Sequence, residues 1–236
     1  MGKSGLTARA AMESDRTGGP PAKGILRDYF ETIVVCVVFV IFSRAFVFQQ
    51  SKIPTGSMED TLLIGDYIMV NRFAYAPAPT GLERALLPVR GIHRHDIIVF
   101  KYPEEPEVDY IKRVVALPGE TVEIRSGVVS VDGQPLREEF LLPKYQDSGN
   151  DWGPATVPAD SFFVMGDHRN NSKDSRYWGF VPRHFVKGRA FVIWWSYEED
   201  RDDWTKTGTD RVWSIASKFR HFFTKTRWSR CLTLIR

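Results

Sequence analysis

Cysteine is scarce in this chain of 236 residues: there are two, Cys36 and Cys231, and no Cys-x-x-Cys pair. One lies inside an apolar stretch and the other in a basic tail, so no disulfide framework is expected. Histidine is equally thin, with five residues scattered and no His/Cys cluster, and a structural zinc site is not expected either. The net charge of +3 is too small to point to nucleic acid as a partner. There is no internal repeat, and helical periodicity is hard to find between about residues 50 and 200. These absences leave a protein of ordinary hydrophobic content, 43%, with room for one soluble domain and appendages.

Residues 1–24 mix Gly, Ser, Pro and charges without period and read as a disordered cytoplasmic leader. Residues 25–49 read as a single transmembrane anchor. Every residue from 33 to 42 is apolar, and the character resumes at Ala45-Phe-Val-Phe48. Counted from Tyr29, the stretch holds about 20 residues, the length that crosses a bilayer as a helix. Glu31 and Arg44 sit near its ends, where charged side chains reach the interface. No small-x-small site follows to mark a cleaved signal, and residues 33–42 offer no polar face for lying flat on a membrane. Lys3, Arg9, Arg16, Lys23 and Arg27 precede the span, while only Arg44 and Lys52 follow closely. The positive-inside rule then puts the N-terminus in the cytoplasm and the remainder on the far side of the membrane, the periplasmic or outer face in a bacterium. The lipid bilayer is thus an expected partner.

Beyond the span, short β-rich runs appear at residues 67–70, 96–100, 110–116, 121–124, 128–131, 161–165 and 190–195, separated by Gly, Pro and Asp/Asn. Ser126-Gly127 and Asp132-Gly133 are turn signals that predict a hairpin. The expected fold is mainly β, a barrel-like or folded sheet over residues 50–200. A basic tail follows at 201–236, where Trp213, Phe219, Phe222 and Phe223 alternate loosely with Lys218, Arg220 and His221. Both a membrane-surface helix and a segment packed on the domain fit that pattern.

Three segments carry chemistry. In Ile53-Pro-Thr-Gly-Ser-Met-Glu-Asp-Thr-Leu62, Pro54 and Gly56 make a sharp approach that presents the Ser57 hydroxyl. The backbone N–H of Ser57 and the hydroxyl of Thr55 are placed to receive an oxyanion. In Tyr110-Ile-Lys-Arg-Val-Val-Ala-Leu-Pro-Gly-Glu120, strand alternation puts Lys112 on one apolar side with Tyr110, Val114 and Ala116. Burial disfavours the ammonium and makes Lys112 a candidate general base, a task its neighbour Arg113 cannot perform because guanidinium stays protonated. The third segment, Gly166-Asp-His-Arg-Asn-Asn-Ser-Lys-Asp-Ser-Arg-Tyr-Trp-Gly179, alternates acids and bases as a buried ion-pair lattice would, and one of its serines can hold a lysine amine.

These segments resemble the bacterial type I signal peptidases, the Ser/Lys proteases (leader peptidases, S26) that remove signal peptides from exported proteins. The resemblance covers about residues 44–182, with Arg94-His-Asp-Ile-Ile-Val-Phe-Lys-Tyr-Pro103 as a fourth box, all in family order. It implies an antiparallel-sheet catalytic domain with Ser57 as nucleophile, Lys112 as general base, and the Ser57 N–H with Thr55 as oxyanion hole. Ser172 matches the serine that orients the lysine amine. Asp167, Arg169, Asp174 and Arg176 match supporting positions, Ile53, Pro54 and Ile111 match substrate-pocket positions, and Met58 matches the residue after the nucleophile. The implied reaction is cleavage after Ala-x-Ala-like sites by way of an acyl-enzyme, without metal or organic cofactor. The implied partners are signal peptides of preproteins, with the secretion machinery as a further candidate. Asp60, His95, His168 and Asn170 depart from the family pattern, which has Pro, Gly, Asn and Asp there.

Three other readings stay open at this point. A Ser-His-Asp hydrolase would use Ser57, His168 and Asp167. A membrane-anchored β module would bind exported chains without cutting them. A specialised relative would mature one pilus or conjugation protein.

Overall fold

The structure, a computed structural model, describes residues 25–42, 48–75, 90–146, 151–199 and 207–235. It forms two units, residues 1–43 and residues 44–236. In the first, helix α1 (Ile25–Phe42) is closed in its opening turns by an Arg27–Glu31 pair and by the Thr32 hydroxyl donating to the Asp28 carbonyl. From Ile33 onward it is apolar, and its side chains are exposed on every face. No helix among the described residues is long and apolar enough to cross a membrane. The reason lies in the first two turns, which spend three of the 18 positions on Arg27, Asp28 and Glu31. Of the rest of the expected span, residues 43–47 lie outside the described residues, and Phe48 and Gln49 open a strand. The expected leader, 1–24, also lies outside them.

The second unit is mainly antiparallel β, as expected. Its strands are β1 (Phe48–Lys52), β2 (Asp66–Asn71), β3 (Ile97–Lys101), β4 (Asp109–Ala116), β5 (Thr121–Arg125), β6 (Val128–Val131), β7 (Gln134–Pro135), β8 (Trp152–Thr156), β9 (Ser161–Met165), β10 (Val181–Pro182), β11 (Val186–Ser196) and β12 (Thr233–Leu234). A large sheet runs β1-β2-β11-β3-β4-β9-β10 with β12 added to β11, and a small one runs β7-β6-β5-β8. Both turn signals make hairpins: Ser126-Gly127 and Asp132-Gly133 all take positive φ, the turn whose twist suits antiparallel strands. Five strands were hidden from the pattern, of which β7, β10 and β12 have only two residues each. β1 is mostly polar, and β8 reads Trp-Gly-Pro-Ala-Thr, whose breakers are tolerated because β8 is an edge of its sheet.

The tail is folded. Helices α3 (Gly208–Arg220) and α4 (Phe222–Lys225) lead into β12, and Ile235 is buried in the same core as Ile53, Met58, Leu62 and Ile193. Trp213, Phe219 and Phe223 remain largely exposed.

Candidate active site

β1 delivers the chain to a loop, residues 53–65, whose ends are tied together. The Ile53 N–H donates to the Asp66 carbonyl at 2.9 Å and the Gly65 N–H to the Ile53 carbonyl at 3.0 Å. Ser57 stands on this loop above Lys112, at the centre of β4. Their Oγ and Nζ are hydrogen-bonded at 2.7 Å, and Lys112 is only 3% exposed. Burial lowers the lysine pKa to about 8 against an opposing pull from Asp174 and Asp167, with Arg176 adding to the drop. The expected alternation along β4 holds only in part, because Lys112, Arg113, Val114, Val115 and Ala116 are all buried. Both faces of the strand are covered, so its two cations need different solutions.

Arg113 is paired. Its fork meets Asp167 bidentately, Nε to Oδ1 at 2.8 Å and Nη2 to Oδ2 at 2.7 Å, while Nη1 donates to the His95 carbonyl and the Phe140 ring lies 3.9 Å from the guanidinium carbon. Asp167 also accepts from the Thr61 hydroxyl at 2.5 Å, which ties the far end of the Ser57 loop to the same pair. Asp174 accepts from the Gly166 N–H and from Arg176 at Nε (2.8 Å) and Nη2 (2.9 Å), and it caps the short helix α2 (Ser175–Trp178). Arg169 donates to the Gly166 carbonyl and pairs with Glu138. Residues 166–179 therefore bear the expected lattice, but two of its four members take their partners from outside the segment. Sequence reasoning missed Arg113, Thr61 and Glu138. A second cation beside Lys112 in an apolar strand was a signal for a buried carboxylate, whereas nothing local marks Glu138.

Gly166 passes so close to Ser57 that a Cβ there would lie 2.4 Å from the Ser57 carbonyl and 2.2 Å from the Ser172 hydroxyl, so no larger residue fits. The Ser172 hydroxyl is buried with no hydrogen-bond partner among the described residues, and it does not bond the lysine amine in this arrangement. An open cavity of about 450 Å³ is lined by Pro54, Thr55, Ser57, Ile111 and Lys112. Thr55 is exposed at its rim. Ile53 and Met58 are in the core cluster that Ile111 packs against, and neither lines the cavity.

His168 points away from the triad reading. Its Nδ1 lies 3.2 Å from the Gly56 carbonyl and 3.2 Å from the Glu59 carboxylate, and its ring packs at a tilt against Tyr145. Asp167 is committed to Arg113 and Thr61 instead. His95, one of the departures from the family pattern, takes φ +69, a conformation that glycine adopts without strain.

A mainly antiparallel β unit with a serine on a tied loop at the wall of an open cavity has the make-up of a serine peptidase, a hydrolase. The chain belongs to the signal peptidase family, peptidase S26, whose family model matches residues 26–195. It is 42% identical over 186 residues to a signal peptidase I from Leptolyngbya laminosa, an alignment covering 75% of this chain and 83% of that one. It is 32% identical over 216 residues to a signal peptidase I from Pseudomonas aeruginosa, covering 75% of each. A solved signal peptidase I from Enterococcus faecalis V583 is 35% identical, with 42% of this chain and 97% of that one covered at a TM-score of 0.38.

Proposed function

We propose that the protein is a membrane-attached endopeptidase that removes N-terminal signal peptides from exported preproteins after small-x-small sites, with Ser57 as nucleophile and Lys112 as base. The observation that carries this reading is the 2.7 Å contact between Ser57 Oγ and a buried Lys112 whose pKa is lowered to about 8. A lysine so placed is neutral often enough near neutral pH to take the serine proton. Ser57 Oγ then attacks the carbonyl after the small residue, and the Ser57 N–H with the Thr55 hydroxyl receives the oxyanion. Collapse breaks the peptide bond, and the proton held by Lys112 leaves with the amine of the mature protein. Lys112 next takes a proton from water, whose attack on the ester releases the signal peptide and restores Ser57. Ser172, buried beside the loop with a free hydroxyl, orients the lysine amine as the complex forms. Asp167, Arg169, Asp174 and Arg176 act at one remove by fixing the loop.

Pro54 and Ile111 form the wall that meets the substrate, with Ile53 and Met58 limiting its depth from below. A shallow wall of this kind excludes large side chains. Membrane attachment is assigned to the apolar stretch that α1 opens. Apolar surface exposed on every face of a helix is covered at least cost by lipid, and the charges before it place the N-terminus in the cytoplasm and the peptidase on the periplasmic or outer face.

The test is an assay of detergent-solubilised protein on a precursor with an Ala-x-Ala site, beside Ser57→Ala and Lys112→Ala. Cleavage after the final alanine, lost in both variants, is expected. Cleavage that survives in Lys112→Ala moves the base elsewhere, and a parent protein that does not cut refutes the reading.

A further inference from the structure

The serine loop is held from two sides, and only one of them belongs to the chemistry described so far. On the first side, Asp167 accepts from the Thr61 hydroxyl and Arg113 reaches the same oxygen at 3.3 Å. On the second, the Thr61 carbonyl accepts from Arg230 Nη2 at 3.0 Å, 169 residues along the chain. The same guanidinium donates to Asp66 Oδ2 at 2.6 Å, and Asp66 is fully buried and accepts from the Leu63 N–H at 2.9 Å and the Ser196 hydroxyl at 2.6 Å. Arg227, one turn earlier in the tail, donates to the Ile64 carbonyl at 3.0 Å. Ile235 follows into the core that holds Ile53, Met58 and Leu62. The tail thus meets the loop at residues 61 and 64, meets β2 at Asp66, and shares a core with residues 53, 58 and 62, on both sides of Ser57 in sequence.

We propose that Arg230 is a positioning residue for the peptidase reaction: its fork, shared between the Thr61 carbonyl and the buried Asp66, sets the loop so that Ser57 Oγ stands over Lys112. The inference rests on the reading of Ser57 and Lys112 given above. The physical reason is geometric. The hydrogen bond between Thr61 and Asp167 holds that residue by its side chain, and its peptide group can still turn about that point. A second grip on the carbonyl removes that pivot. Reaction rates are sensitive to such placement, with a displacement of about 1 Å costing on the order of a hundredfold. Arginine suits the place because Nε and Nη2 face the two Asp66 oxygens at 3.4 and 2.6 Å and fix the plane from which Nη2 also reaches the Thr61 carbonyl, an orientation that the ammonium of lysine does not hold.

The experiment uses the full chain in detergent, with Arg230→Gln and Arg230→Lys beside the parent and Ser57→Ala. Each variant's folded fraction is taken from its melting curve and its kinetics from the Ala-x-Ala precursor. Arg230→Lys keeps a charge against Asp66, so it is expected to stay folded while kcat falls by roughly tenfold or more. KM and the pH midpoint set by Lys112 are expected to stay unchanged. Arg230→Gln is expected to lose at least as much kcat and to melt earlier. Parent-like kcat in Arg230→Lys overturns the proposal, as does a loss in Arg230→Gln that vanishes once corrected for the folded fraction, since Arg230 would then serve stability alone. Cleavage that survives in Ser57→Ala, or none by the parent, breaks the nucleophile reading, and the positioning role falls with it.

Discussion

Two regions of the peptidase unit bury different chemistry. In one, Val115 and Phe163 of the large sheet pack with Val122, Ile124, Val129 and Val131 of the small sheet, a core of aliphatic and aromatic side chains. Around the Ser57 loop, Lys112, Arg113, Asp167, Arg169 and Asp174 are each 3% exposed or less. Apolar burial stabilises by about 25 cal/mol per Å². Buried ion pairs do no better than apolar groups of the same shape, because removing charges from water offsets most of what pairing returns. The charged cluster around the Ser57 loop therefore returns less stability for what it buries than the apolar cluster does.

The contrast is sharpest where a charge loses its partner. Asp167→Ala strands Arg113 in a dry site and is expected to cost about 3–5 kcal/mol, read as the shift in a urea midpoint. A loss below about 1 kcal/mol would mean that water reaches this pair. Activity has its own signature. With the Lys112 pKa at about 8, kcat/KM is expected to rise with pH through about 8 and to fall about tenfold per unit below it. A flat profile from about pH 6 to 9 would deny Lys112 the role of base. In the apolar region, Val122→Ala removes two buried methyl groups and is expected to cost about 2 kcal/mol while leaving kcat per folded molecule unchanged. A change in kcat there would erase the division between the two regions.

The smallest effect runs in the opposite direction. The lysine pKa is depressed on folding, from 10.5 to about 8, so the unfolded chain binds the extra proton between those values. The stability penalty is complete below about pH 8 and fades as pH rises towards 10.5. Lys112→Met is thus expected to raise Tm by a few degrees, about 1 kcal/mol, at neutral pH, and by less above pH 10. An inactive variant that is also no more stable would show that Lys112 is not strained by its burial.

How far the sequence could be read follows from where each partner lies. Ser57, Lys112 and the 166–179 segment stood out because polar residues among turns and apolar strands are conspicuous locally. Strands at Val128–Val131 and Ser161–Met165 match the expected runs residue for residue, since their pattern is uninterrupted. The partners were harder. Thr61 and Arg113 meet Asp167 from 106 and 54 residues away, and no local pattern encodes such a meeting. The basic tail fitted both a membrane-surface helix and a segment packed on the domain; Arg230 is turned inward by Asp66, a carboxylate whose complete burial was not visible from its place at the head of a strand.

The long reach of these contacts also bears on how the molecule comes into being. The grip of Arg230 on Thr61 closes a loop of 169 residues, and β11 joins β2 from more than a hundred residues further along the chain. Closing such separations is slow, in the range of milliseconds to seconds for domains dominated by distant pairings. A form in which the tail has not yet docked lacks both the Arg230 contact with Thr61 and the Ile235 side chain beneath Met58 and Leu62. The loop that carries Ser57 is therefore completed only when the last strand of the chain is in place.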